Sequence, residues 1–284
     1  DLRLAIRGAV ARLRGVGLQL FDLMGIADGP LRAWYGSLMF TNDGADHDRL
    51  RRLVSKAFTP RAVEALRPKI GEIVASCLDR VAANGAMDVI GDLALPVPST
   101  VICEMLGVPL SDRERFTQWT AQATHGLAAA FAPPDVLSRA TDAALSLRGY
   151  FDALIAERRG RLGDDLLSVD ELVALCGLLL IAGFETTIGL IGNGVRQLLL
   201  HPGELARLRS DPALLPSAVE ECLRFDGPIL LTVRVLHEDT VFGGRTLPKD
   251  APVMAMLAAA NRDPEAFPDP ERFDVARSPN EHLA

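Results

Sequence analysis

The feature that most constrains this chain is one long apolar helix with an acid and an alcohol embedded in it. Ser168-Val-Asp-Glu171 has the form of a capping box and opens a helical pattern that runs to His201-Pro202. At 1.5 Å per residue that helix would be roughly 48 Å long, more than most domain helices reach. Its apolar run from Leu172 to Phe184 is thirteen residues. That falls short of the ~20 needed to span a bilayer, so the spacing predicts a buried core helix and no membrane association. A fold containing such an element is built around it.

The rest of the chain is mostly helical in pattern. A basic amphipathic stretch covers about Ala45–Phe58. Thr59-Pro60 reads as an N-cap with proline at N1, opening a helix to about Val81. Further helices are expected at Ile90–Leu106, Asp112–Ala130, Asp135–Arg159 and Pro212–Phe225. The last sixty residues change character: Ile229–Leu236 alternates like a strand, Gly243-Gly244 is a turn, and Val253–Leu257 is a second short strand. The expectation is one mainly α domain over residues 1–284 with a small β portion.

Composition narrows the function. A net charge of -7 and a low aromatic content of 5% disfavour nucleic-acid binding, which wants a basic face and stacking platforms. Cys77, Cys103, Cys176 and Cys222 are not at metal-site spacing. Free thiols in apolar helical contexts point to a reducing compartment, here the cytoplasm. Five histidines without a His-Glu-x-x-His motif give a metallohydrolase little support.

Four constellations carry chemistry. In Ala182-Gly-Phe-Glu-Thr-Thr187 a carboxylate sits inside the most apolar helix, which is costly unless it is paired or has work to do. A mid-helix threonine can bond the i−4 carbonyl and open the helix locally. Gly183 allows close approach to the backbone. The plainer alternative is a core helix with one hydrogen-bonded glutamate and a packing glycine. Glu221-Cys-Leu-Arg224 places opposite charges at i,i+3, as a functional pair or an ordinary surface one. His47 and Arg51, at i,i+4, would make a carboxylate clamp, or form part of a solvated basic face with Arg49, Arg52 and Lys56. Arg234 ends an apolar strand-like run.

Taken in order, "DHDRLRRLVSKAFTPR", "AGFETT", "EECLR", "FPDPERFD" and "NEHLA" resemble successive segments of the cytochrome P-450 family, from near Phe40 to the last residue. The resemblance implies the cytochrome P-450 fold, a helical bundle around a long central helix with a small β portion. It implies a bacterial-type soluble monooxygenase using haem b (iron protoporphyrin IX) and O2. It also implies electrons from a ferredoxin-type donor with its NAD(P)H-dependent reductase. By position, His47, Arg51, Arg234 and His282 would bind the haem propionates, and Ala182 and Gly183 would lie against the haem. Glu185 and Thr186 would deliver protons, and Glu221 and Arg224 would form a buried structural pair. Substrate contacts would come from Leu178, Ile181 and Ala182, and from Pro228 to Thr232, including Ile229, Leu230 and Thr232. These are mostly apolar, so the substrate presents an apolar face.

The chain departs from the family pattern in three places. The family's haem loop, Phe-Gly-x-Gly-x-His-x-Cys-x-Gly, is expected only beyond Ala284. No metal ligand is therefore assigned within the chain, and these 284 residues alone are expected to bind haem weakly and to be inactive. The linker before Ser168-Val169 is short, and the N-terminal helix and first sheet are reduced before Gly36. The rival expectations are a non-catalytic fragment of the same fold and an unrelated α-helical ligand-binding protein. A haem spectrum separates the first from an enzyme. Solvent exposure of Glu185 and Thr186 would favour the second.

Overall fold

Proline and glycine punctuation sets where the helices begin. The computed structural model describes residues 13–14, 21–22, 26–126, 133–158, 176–179 and 181–284. In chain order the elements begin with strand β1 (Leu13–Arg14) and helices α1 (Pro30–Ser37), α2 (Gly44–Ala57), α3 (Pro60–Glu64) and α4 (Arg67–Ala82). A turn of π-helix at Val89–Ala94 leads into α5 (Pro96–Leu106), and α6 (Arg113–His125) and α7 (Pro134–Arg158) follow. A second π-turn, Ile181–Glu185, continues into α8 (Thr186–Leu200), then α9 (Pro202–Ser210) and α10 (Leu215–Asp226). The chain closes with β2 (Thr232–Leu236), β3 (Thr240–Phe242), β4 (Arg245–Leu247), β5 (Pro252–Ala255) and the short α11 (Leu257–Ala260). The capping box at Ser168–Glu171, and with it the start of the long helix, lies outside the described residues.

The Thr59 cap forms as read: its hydroxyl oxygen accepts from Ala62 N at 3.2 Å. The single helix expected from Pro60 to Val81 is two, α3 and α4. Pro68 is the reason, because its ring clashes with the carbonyl four residues back and its nitrogen cannot donate. Pro202 ends α8 where the sequence pattern placed the end of the long helix, and it starts α9 at its first turn, a helix the sequence pattern did not include. The predicted helix from Pro212 begins as a 3₁₀ turn capped by Asp211, whose carboxylate accepts from Ala213 N at 3.1 Å. The predicted strand from Ile229 is extended only from Thr232.

The chain divides into two compact units. The first comprises residues up to Lys69, Thr100–Gly183 and Val233–Val253. Its core gathers Phe21, Trp34, Tyr35, Leu38, Phe116, Leu147, Phe151 and Leu178. Here α6 packs along α7 through an aromatic ladder, with Phe116 and Phe151 edge to face at 5.5 Å between centroids. The Tyr35 hydroxyl donates to the Ala123 carbonyl, and Tyr150 donates to Asp112 at 2.8 Å. β1 pairs antiparallel with β2, Leu13 opposite Leu236, in a sheet ordered β1-β2-β5. β3 and β4 form a hairpin whose turn residues Gly243 and Gly244 both have positive φ, 56° and 75°. That turn demands glycine or asparagine.

The second unit comprises Ile70–Ser99, Phe184–Thr232 and Met254–Ala284. Its core joins Ala218, Cys222, Phe273 and Val275, with Leu190, Leu198 and Phe225 packed against them. α8 packs on α10 and on the first π-turn. By length and composition alone, Val89–Leu106 and Cys176–Leu200 could cross a bilayer, more than the thirteen-residue run suggested. Both carry residues buried against protein, such as Ile102, Cys103, Leu178 and Phe184, and core helices pass the same test.

Candidate functional site: an acid–alcohol pair and a buried ion-pair lock

The long helix is irregular where its acid and alcohol sit. One π-turn spans Ile181–Glu185, and regular α-helix resumes at Thr186. Such a bulge shifts the backbone ladder by one residue and widens the helix locally, a device found mostly at functional sites. Phe184 is buried at 3% exposure, while Glu185 and Thr186 are half-buried. Ala182 is exposed, and the side chain of Ile181 lies outside the described residues. A Cβ on Gly183 would stand 3.1 Å from Ile102 Cδ1, so glycine here brings α5 against the bulge. Leu178 belongs to the core of the first unit.

The strongest electrostatic feature is the Glu221–Arg224 pair on α10, at 0% and 1% exposure. The guanidinium is bidentate on the carboxylate, Nε to Oε2 at 2.7 Å and Nη2 to Oε1 at 2.9 Å. Its remaining donors go to the carbonyls of Asn261, Pro270 and Arg272 at 2.8, 3.0 and 3.1 Å. Glu221 also accepts from Asp274 N, Arg277 Nε and Asn280 Nδ2, at 2.9, 3.1 and 3.2 Å. The i,i+3 spacing made this pair legible, and the family resemblance implied its burial and a further partner from the loop near Phe267–Phe273; the spacing alone carried neither. Arg277 was missed altogether. It further donates to the carbonyls of Pro268, Asp269 and Arg272, so two guanidiniums stitch the 261–280 loop onto α10. The only signal was the density of charge in a proline-rich loop.

The anion-binding candidates fall in both units. His47 and Arg51 share α2. His47 Nδ1 lies 3.4 Å from Asp48 Oδ1, and Arg51 lines a surface recess of about 500 Å³ with Asp48, Arg52 and Ser55. Arg234 on β2 is exposed and donates to the Val233 carbonyl at 2.7 Å. His282 is in the second unit, with Nε2 at 2.8 Å from Glu220 Oε2 and Nδ1 accepting from Ala284 N at 3.1 Å. The side chain of Lys56 lies outside the described residues. Among the substrate candidates, Ile229 and Leu230 are exposed at 47% and 58%, and Thr232 is half-buried.

Taken by type alone, these groups are ones that a flat apolar ligand with carboxylate arms such as haem requires: imidazole and guanidinium groups suit the acids, and exposed aliphatic side chains suit a face. Burial pushes the Cys103 and Cys222 thiols up to about 11. For Cys222 the adjacent Glu221 adds to the effect, and for Cys103 nearby Arg113 opposes it. Cys77 is buried and accepts from Arg80 Nη2 at 3.4 Å, and Cys176 packs against the core of the first unit.

The sequence and the fold both have counterparts among known proteins. The profile of the cytochrome P450 family matches residues 136–282. The 6-deoxyerythronolide B hydroxylase of Saccharopolyspora erythraea is 38% identical over 298 residues, which cover 100% of this chain and 72% of that protein. Cytochrome P450 107B1 of the same organism is 43% identical over 263 residues, covering 88% of this chain and 63% of the relative. The crystal structure of P450BioI in complex with hexadec-9Z-enoic acid ligated acyl carrier protein superposes with a TM-score of 0.86. It is 39% identical, and the match covers 89% of this chain and 68% of that one. The chain belongs to the cytochrome P450 family and has its mainly α fold. It spans between 63% and 72% of the length of these curated relatives.

Proposed function

We propose that the protein containing this chain is a haem-dependent monooxygenase. It inserts one oxygen atom of O2 into an apolar small organic substrate, using electrons from a redox partner. The observation that carries the reading is the π-turn at Ile181–Glu185, which delivers an acid and an alcohol side by side in an otherwise apolar helix. Haem b held by a cysteine thiolate would supply the dioxygen chemistry.

Glu185 and Thr186 hold and pass on the protons that oxygen reduction consumes, inside a site that otherwise excludes water. Ala182 and Gly183 keep the bulge low enough for a flat group to approach. His47, Arg51, Arg234 and His282 are assigned to the haem carboxylates. Leu178, Ile181, Ala182, Ile229, Leu230 and Thr232 are assigned to the substrate. Relatives named for 6-deoxyerythronolide B and crystallised with hexadec-9Z-enoic acid support an apolar substrate. The exposed Arg52 on α2, with the nearby Lys56 of the same basic stretch, suits an acidic, ferredoxin-type donor served by an NAD(P)H-dependent reductase in the cytoplasm.

The test supplies the full-length, haem-loaded protein with ferredoxin, reductase, NADPH and ¹⁸O2. One labelled oxygen per product is expected. Thr186→Ala should divert O2 consumption to peroxide while substrate binding persists. Product formed without label overturns the proposal.

A further inference from the structure

Three glycines of α8 mark where other elements press on it. A Cβ at Gly189 would lie 2.9 Å from Pro228 Cβ, one at Gly192 2.6 Å from Ile90 Cδ1, and one at Gly194 3.3 Å from Cys222 Sγ. The three are not equivalent. Ile90 Cδ1 is the free end of a flexible side chain that is 47% exposed, so it can swing aside. Pro228 Cβ belongs to a ring closed onto the main chain, so relief there requires the backbone to move.

The segment around Pro228 is held at both ends. Before it, the Asp226 carbonyl accepts from Asn193 Nδ2 at 2.9 Å, and the Asp226 carboxylate accepts from Gln197 Nε2 at 2.7 Å. After it, the Leu230 carbonyl accepts from Ala258 N at 3.1 Å. A displacement at Pro228 therefore falls on Ile229 and Leu230, whose side chains are exposed. Gly189 also stands four residues after Glu185 and three after Thr186, on the same helix face.

We infer that Gly189 determines which apolar substrates are accepted, by letting Pro228 seat against α8 and so setting Ile229 and Leu230 relative to Glu185 and Thr186. The inference rests on the monooxygenase reading. Gly189 touches no substrate itself; it is a positioning residue that acts through Pro228. A methyl at this position moves one wall of the site. A flexible ligand adapts to that, and a rigid one does not.

The test titrates two ligands, hexadecanoic acid and the rigid steroid testosterone, against the full-length haem-loaded protein by absorbance, with a thermal melt for each variant. Gly189→Ala should change the ratio of the two Kd values by at least about tenfold against testosterone, the scale on which one methyl discriminates in an apolar pocket. Gly192→Ala should leave the ratio within about twofold, as expected of a site that does not couple. Gly189→Ala with Pro228→Gly, which removes the opposing ring, should return the ratio toward that of the parent. A folded Gly189→Ala protein with an unchanged ratio overturns the inference, as does an equal shift in Gly192→Ala. If Gly189→Ala does not fold, Pro228→Gly alone is read, and an unchanged ratio overturns it. A parent that binds neither ligand overturns the monooxygenase reading and this inference with it, whereas a parent that binds both with an unmoved ratio refutes the inference alone.

Discussion

Replacing Glu221 by alanine removes the acceptor of five hydrogen bonds at once: two from Arg224, and one each from Asp274 N, Arg277 Nε and Asn280 Nδ2. Arg224 keeps three carbonyl partners and the rings of Phe225 and Phe267, 5.5 and 5.3 Å from its guanidinium carbon. It loses the one negative charge that compensates it at 1% exposure, and Arg277 loses the same partner. Removing one member of a buried pair costs about 3–5 kcal/mol. In a chain of this size each kcal/mol lowers the melting temperature by about 2–4 °C, so the variant should melt about 6–20 °C below the parent. The assay is thermal unfolding followed by circular dichroism on the full-length protein. The control is Glu64→Ala, which breaks an i,i+3 pair of similar geometry, Arg67 Nε to Glu64 Oε1 at 2.6 Å. That pair is exposed, and the control should melt like the parent. Glu221→Gln keeps the shape and loses the charge, so it should fall between. A Glu221→Ala protein that melts with the control would refute the reasoning, because it would mean the guanidinium finds water or another anion without unfolding the loop.

The remaining predictions rest on separate groups. Burial raises the Cys103 and Cys222 thiols from 9.0 to about 11, so the unfolded chain releases these protons first as pH rises. Their contribution to stability is present below pH 9 and lost by about pH 11, and a Cys103→Ala, Cys222→Ala double variant should show a flatter fall of urea midpoint across that window. Tyr35→Phe removes the buried donor to the Ala123 carbonyl and should lower stability by about 1 kcal/mol in urea denaturation. An unchanged midpoint would show that the contact contributes nothing. Charge reversal at Arg52 and Lys56, which are not assigned to the haem, should slow reduction by a ferredoxin at low salt and flatten its dependence on ionic strength. A parent rate already independent of salt would place the donor elsewhere.

Local features of the fold were legible wherever a residue acts on its own backbone. The Thr59 cap, the Gly243-Gly244 turn and the helix expected over 135–159 follow from side chains and periodicities that act within a few residues, while the helix expected over 90–106 is a π-turn at Val89–Ala94 followed by α-helix only from Pro96. One error arose where a proline was weighed too lightly: Pro68 divides one expected helix, which follows from the missing donor and the ring clash and could have been read. Pro202 ends α8 where the sequence placed the end of the long helix.

For the site, the sequence by itself determined the residue types and their pairwise spacing. An acid beside an alcohol in an apolar helix and opposite charges at i,i+3 are statements about a single helix. Tertiary structure decided how deep each lies and what else reaches it. Glu221 and Arg224 become a lock because Asn261, Pro270, Arg272, Asp274, Arg277 and Asn280 fold back over them, up to 59 residues away along the chain. Gly189 matters because Pro228 lands on it, 39 positions later by their numbering. Neither partner is encoded by periodicity, since burial of a charge and close approach to a glycine depend on which distant backbone arrives there.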